Sequence, residues 1–138
     1  MPSLPPFYVD ESLSQVYLTE ALRSCGLTAY KVTDKFQRGV TDPEWLPEAG
    51  RQGWIVLTKD KAIRKRPNEM MALVNSGVRA FVLTAGAMTG PDQALLFVRI
   101  LPQIKVIVEQ LPAPFLIRVS KVGNCDVVYP FGRLTPVP

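Results

Sequence analysis

"WIVLTKDKAIRKR" (residues 54–66) joins an unbroken apolar run to one acid set among many cations. The run "WIVLT" shows no polar alternation. A strand of that kind is covered on both faces, and such strands belong to parallel sheets with helices above and below. Asp60 then follows two residues past the run, flanked by Lys59, Lys61, Arg64, Lys65 and Arg66. A carboxylate there lies at the carboxyl end of a central strand. It either caps a short turn whose basic flank is solvated, or serves as a ligand in a site whose rim attracts a polyanion.

Upstream, "TDPEWLPEAGRQG" (41–53) reads as a helix. Thr41 three residues before Glu44 forms a capping box, Pro43 suits the first turn, and Gly53 ends it. Pro47 is close enough to the start to be tolerated. "LTAYKV" (27–32) is a strand, followed by a polar loop, "TDKFQRGV" (33–40). A helix precedes that strand. Its apolar residues Leu13, Val16, Tyr17, Ala21 and Leu22 share one face, and Gly26 stops it. "FYV" (7–9) is the first strand.

Downstream, "PNEMMALVNSG" (67–77) is helical and "VRAFVLT" (78–84) is another buried strand. A long helix spans 91–111 with a bend at Pro102, and "PFLIRVSKVGNCDVVY" (114–129) closes the chain as a hairpin about Gly123-Asn124. Strands and helices alternate. The expected fold is α/β: a three-layer α/β/α sandwich around a mostly parallel central sheet, with a C-terminal hairpin extension. One domain is expected over 1–138, with its core at about 7–120 and a loose tail at about 130–138.

Composition narrows the chemistry. Of 138 residues, 47% are hydrophobic, which is enough for a core without disulfides, and the net charge of +4 is compatible with a nucleic-acid partner. The chain has no histidine, and its two cysteines, Cys25 and Cys125, form no CxxC pair. That removes zinc sites, Ser-His-Asp triads and Cys-His pairs, and leaves acid–base or metal work to carboxylates. "MPSLPPFYVDE" is not a signal peptide and no apolar run is long enough to span a membrane, so a soluble cytoplasmic protein with free thiols is expected.

Ligands of parallel sheets gather at the carboxyl ends of the strands. Asp10 follows "FYV" directly, Asp60 lies just past "WIVLT", and Asp42 and Glu44 open the helix that leaves the same edge. Glu11 and Asp92 lie nearby. Carboxylates held roughly 5 Å apart at an effective dielectric of about 20 repel by about 3 kcal/mol per pair. A cation among them relieves that repulsion, and an all-oxygen set without His or Cys selects Mg²⁺ or Mn²⁺. Lys59, Lys61, Arg64 and Lys65 would then hold a phosphate backbone. Taken singly, each residue also has a plain structural reading: Asp42 as an N-cap, Glu44 as the partner of Thr41, and Trp45 and Trp54 as packing.

"FYVDES", "TDPEWLPEAGRQGWIVLTKDKAI" and the order of elements between them resemble the PIN-like family, in particular its VapC-type toxin ribonuclease subgroup. The resemblance implies an α/β/α nuclease that cleaves RNA with Mg²⁺ or Mn²⁺ held by three or four acids. On its pattern Asp10, Asp42 and Asp60 are the catalytic acids, and Glu44 is the nearest substitute for Asp42. A fourth acid is expected just after "VRAFVLT", where Asp92 is the nearest. A cognate antitoxin and a homodimer are the partners it implies. The alternative is a non-catalytic PIN-like module that binds RNA or protein.

Overall fold

In a computed structural model, residues 4–59 and 67–130 are described. Asp60, Lys61, Arg64 and Lys65 lie outside the described residues, as does the expected tail from 131 onward.

The elements run β1 (Phe7–Val9), α1 (Gln15–Ser24), β2 (Ala29–Lys31), α2 (Val32–Lys35), α3 (Asp42–Gln52), β3 (Ile55–Lys59), α4 (Pro67–Asn75), β4 (Arg79–Leu83), α5 (Gly90–Arg99), α6 (Leu101–Gln110), β5 (Phe115–Val119) and β6 (Cys125–Tyr129). The strands form a six-stranded sheet in the order β2-β1-β3-β4-β5-β6. β1 to β5 are parallel, and β6 runs antiparallel to β5. After β1 the chain crosses to one side for β2 and returns to the other for β3. The strand order therefore reverses between β1 and β3, and the crevice at their carboxyl ends is where such sheets bind ligands.

Strand alternation divides the core in two. Phe7, Val9, Ile55, Leu57, Phe81 and Leu83 face one side, under α1, α5 and α6. Tyr8, Val56, Ala80 and Val82 face the other, under α3 and α4, with Trp45, Leu46, Ala49 and Leu73 as the helical partners. Both faces are covered, which is why the strands read as continuous apolar runs. The three-layer arrangement and the closing hairpin are as the sequence implies. No helix among the described residues is long and apolar enough to cross a membrane.

Two elements differ from expectation. The polar loop at 33–40 begins with one helical turn, α2, because the Asp34 carboxylate accepts from the Lys31 backbone N–H at 2.9 Å and Val32 is buried. The long bent helix is two helices, broken at Ile100 (φ −92°, ψ 5°). Pro102 lacks an N–H, and in a continuous helix its ring would strike the carbonyl of residue 98. It sits instead in the first turn of α6, where neither penalty applies. Helix α3 forms as read, with the Thr41–Glu44 capping box in place and Gly53 left-handed (φ +72°) at its end.

Gly50 lies where α3 presses on the carbonyl of Ser76, just beyond α4, and an added Cβ would fall inside that carbonyl. Gly50→Ala is expected to lower stability by about 1–3 kcal/mol despite its better helix propensity. Gly86→Ala, with open space around it, should stay close to wild type. Urea unfolding of the two variants checks the contrast.

Candidate active site

The carboxyl edges of β1 and β3 are tied together by one carboxylate. Asp10 Oδ2 accepts from Ser12 Oγ at 2.7 Å and from Thr58 Oγ1 at 2.9 Å. The two hydroxyls lie 3.2 Å apart, and Ser12 Oγ also accepts from the Lys59 backbone N–H at 3.0 Å. The Asp10 N–H continues the strand pairing by donating to Leu57 O at 3.0 Å. One oxygen of Asp10 is thereby locked, while Oδ1 carries no hydrogen bond among the described residues. Thr58 is buried and Asp10 half-buried.

Tyr8 lies on β1 and Asp10 just past its end, two residues apart and so on the same face. The Tyr8 ring is fully buried, stacked on Trp54 (centroids 5.4 Å apart, planes at 16°) and tilted on Trp45 at 5.0 Å. The indole N–H of Trp45 in turn donates to Asp42 Oδ1 at 3.0 Å. Helix α3 thus carries Asp42 over the face from which Tyr8 and Asp10 emerge. Burial first, then the charges of Asp10, Glu11 and Asp42, push the Tyr8 phenol well above the ordinary tyrosine range. Its hydroxyl is buried and has no hydrogen-bond partner among the described residues. Glu11 itself is exposed, and its Oε1 accepts from the Gly39 N–H at 3.1 Å.

Glu44 is exposed and serves the cap of α3, where its Oε1 accepts from the Thr41 N–H at 3.0 Å and from the Thr41 hydroxyl at 2.7 Å. It lines a hollow with Pro6 and Trp54, at the amino ends of β1 and β3. Asp92 lies in the first turn of α5, with its N–H on Thr89 Oγ1, and is not among the charges acting on Tyr8. Asp60, Lys61, Arg64 and Lys65 are outside the described residues, and of the expected basic run only Lys59 is described. Among the described residues, no three acidic, histidine or cysteine side chains are grouped closely enough to hold a metal ion.

Three contributors were not picked out as site residues in the sequence. Tyr8 reads as plain core in "FYV", and only its hydroxyl two residues before an acid distinguishes it. Lys31 ends β2, and Arg38 lies in the following loop. Together with Glu11, Gln15, Val32 and Gly39 they line a cavity of about 440 Å³ beside the acids. Neither cation forms an ion pair among the described residues.

A family model described as "PIN like domain" matches residues 5–85. The chain is 25% identical over 117 residues to "Putative ribonuclease VapC45" of Mycobacterium tuberculosis (strain ATCC 25618 / H37Rv), covering 82% of this chain and 84% of that protein. No solved structure gave a significant match.

Thr58→Val removes a hydroxyl donor to a charged group and is expected to cost about 1.5–3 kcal/mol in urea unfolding, because the rest of the side chain is isosteric. Glu44 gives a pH signature. The Thr41 hydroxyl first, and the Thr41 N–H second, lower its carboxyl below the usual range. A depressed folded value stabilises at pH above the unfolded value, and the contribution is lost as pH falls through the folded one. The stability advantage of wild type over Glu44→Ala, measured by urea midpoints, should be full at neutral pH and shrink below about pH 4.

Proposed function

Because the chain belongs to the PIN-like domain family, we propose that it is a metal-dependent endoribonuclease of the toxin type, hydrolysing RNA phosphodiester bonds in the cytoplasm. The observation that carries this reading is the Asp10 carboxylate, locked across β1 and β3 through one oxygen at the strand-order reversal.

Asp10, Asp42 and Asp60 are the proposed catalytic acids and hold Mg²⁺ or Mn²⁺. Asp42 is likewise secured through one oxygen, since its Oδ1 accepts from the Trp45 indole N–H. Fixing one oxygen of each acid reduces the side-chain freedom lost when the other takes up a ligand. An oxygen-only donor set in a chain without histidine suits a hard divalent ion. The chemistry that such an ion supplies is activation of a water and stabilisation of charge on the phosphoryl oxygens. Glu44, proposed from the sequence as a further ligand, is better accounted for by its cap.

Phosphates flanking the scissile bond are assigned to Lys59 and the sequence-adjacent Lys61, Arg64 and Lys65 on one side. Lys31 and Arg38, in the cavity past Glu11, take them on the other. A cognate antitoxin and a second copy of the chain are the proposed protein partners.

Cleavage of a labelled single-stranded RNA in Mn²⁺ tests the reading. Asp10→Asn and Asp42→Asn should each reduce the rate by more than about 100-fold, beyond what outer groups of a metal site usually cost. Wild type that binds the RNA and leaves it intact would instead make the chain a binding module. For the cations, Lys31→Ala with Arg38→Ala should flatten the slope of log affinity against log salt by roughly 0.7 for each lost contact. An unchanged slope would return the pair to ordinary solvated surface.

A further inference from the structure

Two successive acids at the end of β1 are held in opposite directions. Asp10 accepts from Thr58 on β3, whereas Glu11 Oε1 accepts from the N–H of Gly39, beyond α2, at 3.1 Å. β2 and β3 pair with opposite edges of β1, and Lys31 on β2 is level with Val9. Glu11 therefore belongs to the β2 side of the edge, where it lines the cavity of about 440 Å³ together with Lys31 and Arg38. It forms no ion pair with either cation among the described residues. A carboxylate in that position weakens the pull of the cavity on a phosphate. What it can do for a ligand is accept a hydrogen bond, because an ionised carboxylate donates none.

We propose that Glu11 is a specificity-determining residue whose carboxylate accepts the 2′-hydroxyl of the ribose between two bound phosphates, and so selects RNA over DNA. The inference rests on the nuclease reading above, with the scissile phosphate at Asp10 and the next phosphate on Lys31 and Arg38. One sugar separates two successive phosphates of a strand. Glu11 separates the two phosphate positions on the protein, since it follows Asp10 in the chain and shares its cavity with the two cations. Ribose offers a donor there, and the 2′-hydroxyl is the group by which a protein tells RNA from DNA at a given site. Deoxyribose offers none, and its phosphates meet only the repulsion of the carboxylate. The Gly39 N–H holds the Glu11 side chain in place before the ligand arrives, which reduces the freedom lost on binding. A single N–H does not exhaust the acceptor capacity of a carboxylate.

Fluorescence anisotropy on the full chain in chelator tests this, with a labelled single-stranded RNA and the DNA of the same base sequence, uracil in both. The readout is the ratio of the two affinities. Removing a charge, or loosening the Gly39 loop, alters both affinities together and cancels in that ratio. Wild type should favour RNA by about tenfold, the worth of one hydrogen bond to a charged group. Glu11→Ala should bring the ratio close to one. Glu11→Gln, which keeps an acceptor oxygen, should retain most of the preference. Arg38→Ala should weaken RNA and DNA alike and leave the ratio as in wild type. A wild type without preference overturns the proposal, and so does a preference that survives Glu11→Ala. An equal collapse in Glu11→Gln would trace the effect to charge, and one in Arg38→Ala to the shape of the cavity; either overturns it. Addition of Mn²⁺ to the same RNA complex tests the nuclease reading separately. Wild type that prefers RNA but leaves it intact brings down that reading and keeps the role of Glu11. Wild type that cuts RNA and binds both strands equally does the reverse, and wild type that binds neither strand brings down both.

Discussion

The hydrogen bonds from Ser12 and Thr58 to Asp10 hold together the edge on which every functional feature depends. β1 and β3 are neighbours in the sheet but far apart in the chain, and Asp10 reaches from the end of one to Thr58 near the end of the other. With a backbone bond from the Asp10 N–H to Leu57 O beneath it, the carboxylate becomes part of the strand pairing rather than a free side chain. An acid fixed in this way is presented at a constant place. The cost is a half-buried charge, offset by hydroxyl donors that bind charged acceptors more strongly than neutral ones.

The aromatic cluster extends that order to the second acid. Tyr8 lies between the sheet and α3, Trp54 lies beneath it, and Trp45 joins the ring stack to Asp42. Core packing and site geometry are one arrangement on this face. A change at Asp42 would take the acceptor from the Trp45 indole N–H. The Thr41–Glu44 box makes the start of α3 equally definite, so the helix that carries Asp42 has little slack at its first turn. On the opposite face, α1, α5 and α6 pack purely apolar strand residues, and none of the acids acting on Tyr8 comes from those helices.

Much of this was legible in the residues. The unbroken run "WIVLT" announced a strand covered on both faces, Thr41 with Glu44 announced the start of α3, and Gly53 its end. Asp10 after "FYV" was recognisable because an acid that ends an apolar strand must lie at the sheet's edge. Pro102 was visible as a disruption, although whether a helix bends or restarts depends on whether its flanks find separate packing surfaces. Here both sides of the break stay packed on the same core, with Ile100 and Ile104 each buried in it. The turn of α2 was missed because it is made by a side chain, Asp34, that closes on the Lys31 backbone, and such closures have no period to detect.

By itself, then, the sequence determined the layers, the parallel sheet, the absence of histidine chemistry and the carboxylates available for a site. Those follow from local quantities: apolar runs, caps, breakers and composition. Only the tertiary structure decided that Asp10 is gripped by Thr58, 48 positions away. It alone left the Tyr8 hydroxyl, in a core residue by its pattern, without a partner among the described residues. It also brought Lys31 and Arg38 beside Glu11 across the turn after β2. The physical reason is the same in each case. Burial periodicity tells which face of an element is covered, but a hydrogen bond or a charge contact depends on which distant side chain arrives over that face, and the strand order sets that arrival.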